Sequence, residues 1–271
     1  MILFIFEGER ECPVFNTLQH LFFKKETEPF ICVYKSNIYS LYSHIKEYDF
    51  IGGQEEVDTV SALNEILVKQ GNNELSSINP SEIAEIFLFF DYDFHHSRGT
   101  LEENNLHLKE LLEYFNEETE AGKLYINYPM IESLRYTKAL PDDDYINYTI
   151  ARTDCRNFKK IANDFSHYSS FDHLVRSTNS NEAEEKKKRR DENISRNWLY
   201  LVRMNAIKAN YLCNDRNSLP ENISDISQAR IFDAQLLKYV QTDNCHVSIL
   251  NSFPIFLYDN NSVKITEVVE T

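Results

Sequence analysis

Glycine, proline and long apolar runs are all scarce in this sequence. Only six of the 271 residues are glycine and seven are proline, which argues against a loop-rich or fibrous protein and favours long helices and strands. The apolar start, Ile2 to Phe6, meets Glu7 within the length of one strand and follows no basic segment. It has the features of neither a signal peptide nor a membrane span, and no other run approaches a spanning length. We therefore expect a soluble, cytoplasmic protein.

Paired cysteines are also missing. The five cysteines are scattered, odd in number and never spaced as Cys-x-x-Cys. Disulfide frameworks and structural zinc sites depend on such pairing, so the spacing argues against both. Reduced thiols are the expected state.

Positive charge is in deficit, with 28 Lys and Arg against 43 Asp and Glu and a net charge of −15. Proteins that hold nucleic acid through their overall field are basic, because affinity comes largely from neutralising phosphates. This chain would need a local basic patch, a bound divalent cation or a basic partner instead. The densest basic run, Lys186 to Arg190, follows glutamates at a spacing that favours ion pairs within one solvent-facing helix. The expected pairs are Glu182–Lys186, Glu184–Lys188 and Glu185–Arg189.

The first half of the chain alternates short apolar runs with amphipathic segments. This rhythm predicts an α/β fold with a parallel sheet flanked by helices. The predicted strands are Ile2–Phe6, Phe30–Tyr34, Ile83–Phe90 and Lys123–Tyr128. Predicted helices start near Pro13 and cover about 37–48, 57–69 and 101–115.

The pattern changes at about residue 140. We predict one domain over 1–140, with an insertion at about 52–82, and a mostly helical region over 141–271 that packs on it or extends it. The last apolar segment, Val247 to Leu257, is expected to pack back on the sheet.

Acidic residues follow three of the four predicted strands. Glu7 follows the first, with Glu11 just beyond it; Asp91 and Asp93 follow the third, and Glu132 comes after the fourth. Parallel sheets gather ligands at the carboxyl ends of their strands, so we expect these acids on one rim. Converging carboxylates repel one another, and a hard cation such as Mg²⁺ or Mn²⁺ relieves that repulsion. Two such ions can support phosphodiester cleavage.

Two of these clusters resemble motifs of a known family. The segment FEGERE, at 6–11 after an apolar strand, resembles the Glu-Gly motif that opens Toprim domains, and FFDYDF at 89–94 resembles their Asp-x-Asp motif. The likeness covers about half of the chain and extends to the overcoming-lysogenisation-defect family and related Toprim-like nucleases of bacterial anti-phage defence. It implies a Toprim-like fold and a metal-dependent endonuclease acting on DNA or RNA.

The resemblance also implies roles for individual residues. Glu7 and Asp91 would be principal metal ligands, Asp93 a ligand or water holder, and Glu11 a ligand of a second metal. The segment YPMIESL at 128–134 is similar to a Pro-x-x-Glu element of some Toprim-like defence proteins, which nominates Glu132 as a catalytic residue.

The sequence departs from the family in ways that leave alternatives open. Many Toprim domains have a glycine soon after the second aspartate, whereas this chain has Phe94-His95-His96. It carries neither a P-loop motif nor a topoisomerase module, so any ATPase that regulates it would be a separate polypeptide. The alternatives are a non-catalytic Toprim-fold binding or regulatory subunit, and another phosphotransfer enzyme such as a phosphatase. A catalytic lysine at Lys159 or Lys160 is a further hypothesis.

Overall fold

A five-stranded sheet forms the centre of the computed structural model, which describes residues 1–23, 29–47, 58–177 and 183–269, with 261–269 as helix backbone only. Four strands run parallel: β1 (Ile2–Phe6), β2 (Pro29–Val33), β3 (Glu85–Asp91) and β5 (Gly122–Asn127). The short strand β4 (Asn116–Glu117) pairs antiparallel with β5 at one edge. The order across the sheet is β2-β1-β3-β5-β4.

The predicted α/β class is therefore confirmed, with one antiparallel edge strand added. The strands β1 and β3 are apolar at nearly every position because both faces of the sheet are covered. Gly122 begins β5 with a φ of +119°, and a Cβ there would lie 2.9 Å from the Leu88 side chain. Only glycine fits this start without strain.

Helices connect the parallel strands, and their ends match sequence signals. The four are α1 (Glu11–Phe22), α2 (Ile38–Glu47), α3 (Thr59–Lys69) and α4 (Leu101–Tyr114). Asp58 caps α3, and Thr100 forms a capping box with Glu103 at the start of α4. The predicted helices are thus confirmed, except that predicted helix ends at Tyr48 and Val57, and part of the predicted insertion, lie outside the described residues.

The C-terminal region is mostly helical, as predicted. Its helices are α5 (Phe158–Phe165), α6 (Glu184–Asn214), α7 (Gln228–Gln235), which continues as a π-helical turn over Leu236–Val240, and α8 (Ser252–Val269). Two three-residue strands that the sequence did not predict, β6 (Thr149–Ala151) and β7 (His246–Ser248), form a second, antiparallel sheet. No helix in the described part of the chain is both long enough and apolar enough to cross a membrane.

The segment 247–257 packs on the main sheet, which confirms that prediction, and it does so chiefly through α8. The Phe253 ring stacks on Phe89 with centroids 4.6 Å apart. The Phe256 ring meets Phe87 edge-on at 5.1 Å. Burial of each such aromatic side chain contributes roughly 1.5–3 kcal/mol to the stability of the fold, so the packing of α8 on the sheet stabilises it substantially.

The basic run lies in the first turns of α6 and is largely exposed, as expected for a solvent-facing helix. Glu184 pairs with Lys187 at 2.9 Å, one residue earlier than the predicted partner Lys188. The expected pair of Glu182 with Lys186 lies outside the described residues.

Candidate functional site

Glu7 links the carboxyl ends of three neighbouring strands. Its backbone N–H donates to the Phe89 carbonyl of β3 at 3.0 Å, and the Lys35 N–H after β2 donates to the Glu7 carbonyl at 2.9 Å. Its side-chain Oε2 accepts a hydrogen bond of 2.9 Å from the Asp91 N–H. The carboxylate of Glu7 therefore stands over the end of β3, as the parallel topology predicts. It is half-buried rather than fully exposed.

Asp91, the last residue of β3, is oriented by the neighbouring strand. It lies in register with Asn127, the last residue of β5, whose Nδ2 donates to Asp91 Oδ1 at 3.0 Å. The Asn127 Oδ1 accepts from the Ser252 N–H at 3.1 Å and hydroxyl at 2.7 Å, which fixes the amide with its N–H groups toward Asp91. Sequence reasoning missed Asn127, although a lone amide at the end of an apolar strand was a usable signal.

Asp93 occupies a strained turn after β3. Its φ is +49°, in the left-handed region that aspartate tolerates better than most residues. The His96 N–H closes the turn by donating to the Asp93 carbonyl at 2.7 Å. The turn directs the chain from the end of β3 toward α4 and keeps residue 93 at the edge of the sheet.

Glu11, the first residue of α1, is deeply buried at this edge. It is 3% exposed, and its Oε2 has no hydrogen-bond partner among the described residues. An unpartnered buried carboxylate oxygen is costly, unless the group is protonated or meets a cation.

The pKa values of these four carboxyls rise together. Burial, followed by the charges of Asp93 and Glu11, raises the pKa of Glu7 to about 8 against the opposing Asp91 N–H. Burial raises the pKa of Glu11 to about 7, although Arg10 and nearby backbone N–H groups oppose it. The pKa of Asp91 lies well above its usual range because of burial and the charges of Glu7 and Glu11. The pKa of Asp93 is also raised, chiefly by burial. The group therefore holds protons at neutral pH.

The four carboxyl groups offer hard oxygen donors at one edge of the sheet. Within the described ranges, no three His, Cys, Asp or Glu side chains already stand in a metal-binding arrangement. The oxygen-only donor set and the unpartnered Glu11 oxygen fit Mg²⁺ or Mn²⁺, provided that the side chains turn toward a common point and lose their protons.

Glu132 lies at the same edge but apart from this acidic group. It belongs to a 3₁₀ turn, Ile131–Arg135, that follows β5, and it is 3% exposed. Its carboxylate forms an ion pair with Arg10. The structure thus brings Glu7, Asp91, Asp93 and Glu11 together and places Glu132 beside them, held by an arginine that the sequence had not singled out.

His96, which follows the Asp-x-Asp motif, and the two hypothesised catalytic lysines lie outside the group of four acids. The His96 ring stacks on Tyr39 with centroids 4.3 Å apart, and burial lowers its pKa. A groove of about 780 Å³ opens beside it between the starts of α2 and α4. Lys159 and Lys160 lie exposed on α5, and the Lys159 carbonyl accepts a hydrogen bond from Arg135 Nη2 at 3.2 Å.

Comparison with known proteins adds no relative: no family model, no curated protein and no solved structure matches the chain. The likeness to Toprim domains therefore stays a prediction from its two motifs, and function has to be argued from the residues at the sheet edge.

Proposed function

We propose that the protein is a Mg²⁺- or Mn²⁺-dependent endonuclease that hydrolyses phosphodiester bonds in DNA or RNA. The observation that supports this most is the convergence of Glu7, Glu11, Asp91 and Asp93 at the carboxyl edge of a parallel sheet. Structural carboxylates are usually paired with cations or solvated, whereas these four are partly buried together. Such perturbed clusters mark functional sites more often than structural ones.

The chain's own residues would divide the work. Glu7 and Asp91 would hold the principal cation, with Asp93 and Glu11 as further ligands, and Asn127 would keep the Asp91 carboxylate in one orientation. Once bound, the cation would supply an activated water and neutralise charge on the phosphate. Glu132 would act from beside the site, either while it is paired with Arg10 or after it has left that ion pair.

The proposed biological role is that of an effector subunit in a bacterial anti-phage system, regulated by a separate ATPase. It follows from the family resemblance and from the lack of a P-loop motif in the sequence. The net charge of −15 supports it, because such a chain binds nucleic acid weakly unless a partner or metal assists.

A nuclease assay tests the proposal. Purified protein is incubated with DNA and with RNA in Mg²⁺, Mn²⁺ or EDTA, with and without a candidate partner ATPase. We expect metal-dependent cleavage that Asp91→Asn abolishes. Glu9→Gln is the control, because Glu9 lies in the turn after β1, is exposed, and pairs with Lys35 in the described part of the chain. Cleavage that survives in Asp91→Asn would remove the acidic group from the reaction.

A second candidate is a non-catalytic binding or regulatory subunit on the same fold. The observation in its favour is that, among the described residues, no three of these side chains stand in an arrangement that could hold a metal ion. It predicts that Glu7→Gln retains full biological activity in cells. The nuclease proposal predicts that activity is lost while the variant stays folded.

A further inference from the structure

Arg135 is a buried arginine that pairs with no carboxylate among the described residues. The residue is 3% exposed, and its Nη2 donates to the Lys159 carbonyl at 3.2 Å. Its Nη1 has no hydrogen-bond partner among the described residues. Arginine is almost never buried unless it is paired, because an unpaired buried charge costs several kcal/mol by order of magnitude. The chemistry of the position therefore suits an anion.

A second unpartnered group lies beside it. Both ring nitrogens of His173 are buried without a hydrogen-bond partner in the described part of the chain. The ring stacks on Tyr168 with centroids 4.0 Å apart, which fixes its plane. Burial and the neighbouring Arg135 lower the pKa of His173 to about 4, so the ring is neutral at pH 7 and presents one N–H donor.

This pair lies next to the acidic edge. Arg135 ends the 3₁₀ turn that carries Glu132, and residues three apart in such a turn face the same side. Glu132 is nevertheless paired with Arg10. The charge of Arg10 acts on both Glu11 and Arg135, so Arg10 lies near the acids and near the buried arginine.

Two exposed cationic residues adjoin Arg135. The Arg10 side chain is 47% exposed, and Lys159 is exposed on the other side. An anion at this position would face the guanidinium and the imidazole together.

We propose that Arg135 and His173 form a phosphate subsite that holds the nucleic-acid backbone beside the acidic group. The proposal rests on the proposed function for its ligand. The planar fork of arginine matches phosphate oxygens in pairs, and charge-assisted bonds of this kind are about twice as strong as neutral ones.

Inorganic phosphate is the first probe. The melting temperature of the full chain is measured against phosphate concentration in EDTA, with chloride at matched ionic strength. We expect phosphate to stabilise wild type and Arg156→Gln, an exposed matched control on the neighbouring turn. In Arg135→Gln the apparent dissociation constant should rise about tenfold or more. Equal phosphate binding in Arg135→Gln, or no stabilisation of wild type, would overturn the subsite.

A fluorescent single-stranded oligonucleotide, also in EDTA, identifies the source of the phosphate. Weaker binding by Arg135→Gln supports a backbone subsite, whereas unchanged oligonucleotide binding overturns it. Should Arg135→Gln fail to fold, the His173 ring ¹⁵N resonances of wild type are recorded instead. They should shift with phosphate and not with chloride, and constant resonances would count against the subsite. Phosphate and oligonucleotide binding through Arg135, without cleavage in any metal, would leave the subsite standing and refute the nuclease.

Discussion

Replacing Glu7 by glutamine should stabilise the metal-free protein at alkaline pH and not at acidic pH. The folded pKa of Glu7 is about 8, against an ordinary value of 4.5. The folded protein thus keeps a proton that the unfolded chain releases. The stability contributed by this proton is complete below about pH 4.5 and is lost as the pH rises to about 8. Glutamine avoids the loss, and its carbonyl oxygen can still accept from the Asp91 N–H.

The size of the effect follows from the two pKa values. A shift from 4.5 to about 8 corresponds at pH 8 to a ceiling of about 4 kcal/mol, at 1.36 kcal/mol for each pKa unit. Part of this repulsion is shared with Asp91 and Glu11, whose protons redistribute when Glu7 is neutral, so we expect about half, ~2 kcal/mol. For a chain of this size that is an increase of roughly 4–8 °C in melting temperature.

The assay is thermal unfolding in EDTA at pH 5, 6.5 and 8, followed by circular dichroism. Glu9→Gln removes a carboxylate from the exposed part of the same turn and should change the melting temperature little at any pH. An equal gain for Glu7→Gln at pH 5 and pH 8 would refute the reasoning, since it would owe nothing to ionisation. No gain at pH 8 would show that Glu7 is not buried among like charges.

Three further outcomes are expected. Mg²⁺ or Mn²⁺ should raise the melting temperature of wild type more at pH 8 than at pH 6, because carboxyl groups must lose their protons to bind the cation. Asp91→Asn should abolish this increase, and calorimetric titration should then detect no metal binding. Asn127→Asp should lower the free energy of unfolding by about 2 kcal/mol at pH 7, measured by urea titration. The substitution places a second carboxyl group beside Asp91 and removes the N–H that donates to the Asp91 carboxylate. An unchanged urea midpoint would contradict this. Glu132→Ala should cost about 1 kcal/mol or less in urea titrations, because the Arg10 side chain is 47% exposed and water can replace its partner. It should reduce cleavage no more than Glu7→Ala does; a larger loss of cleavage would make Glu132 a principal catalytic residue.

Much of the sheet was predictable because its signals are local. The runs Ile2–Phe6 and Ile83–Phe90 are apolar throughout, and acids follow both, so parallel pairing alone brings Glu7 to Asp91. Strands β4, β6 and β7 were missed because two or three residues show no periodicity. Their pairing depends on segments distant in sequence, as when Ile150 meets Val247.

The site's supporting residues were not predictable for a related reason. Arg10 and Glu132 are 122 residues apart, and no local pattern specifies which carboxylate a surface arginine meets. Arg135 reads in sequence as an ordinary helix-end cation. Only the tertiary fold shows that it is buried and that its Nη1 has no partner among the described residues. The acids were found because topology places them, whereas their partners depend on side-chain packing.

The amide of Asn127 has a consequence for how the chain can be divided. One of its ends holds Asp91, and the other is held by Ser252, the first residue of α8. A fragment that stops near residue 140 would retain every acid at the sheet edge, yet it would lose the clamp that orients Asp91 and would expose the rings beneath α8. Conversely, a ligand that shifts the beginning of α8 acts on the acidic group without touching it. The position of the first residue of α8 thus affects the orientation of Asp91 at the sheet edge.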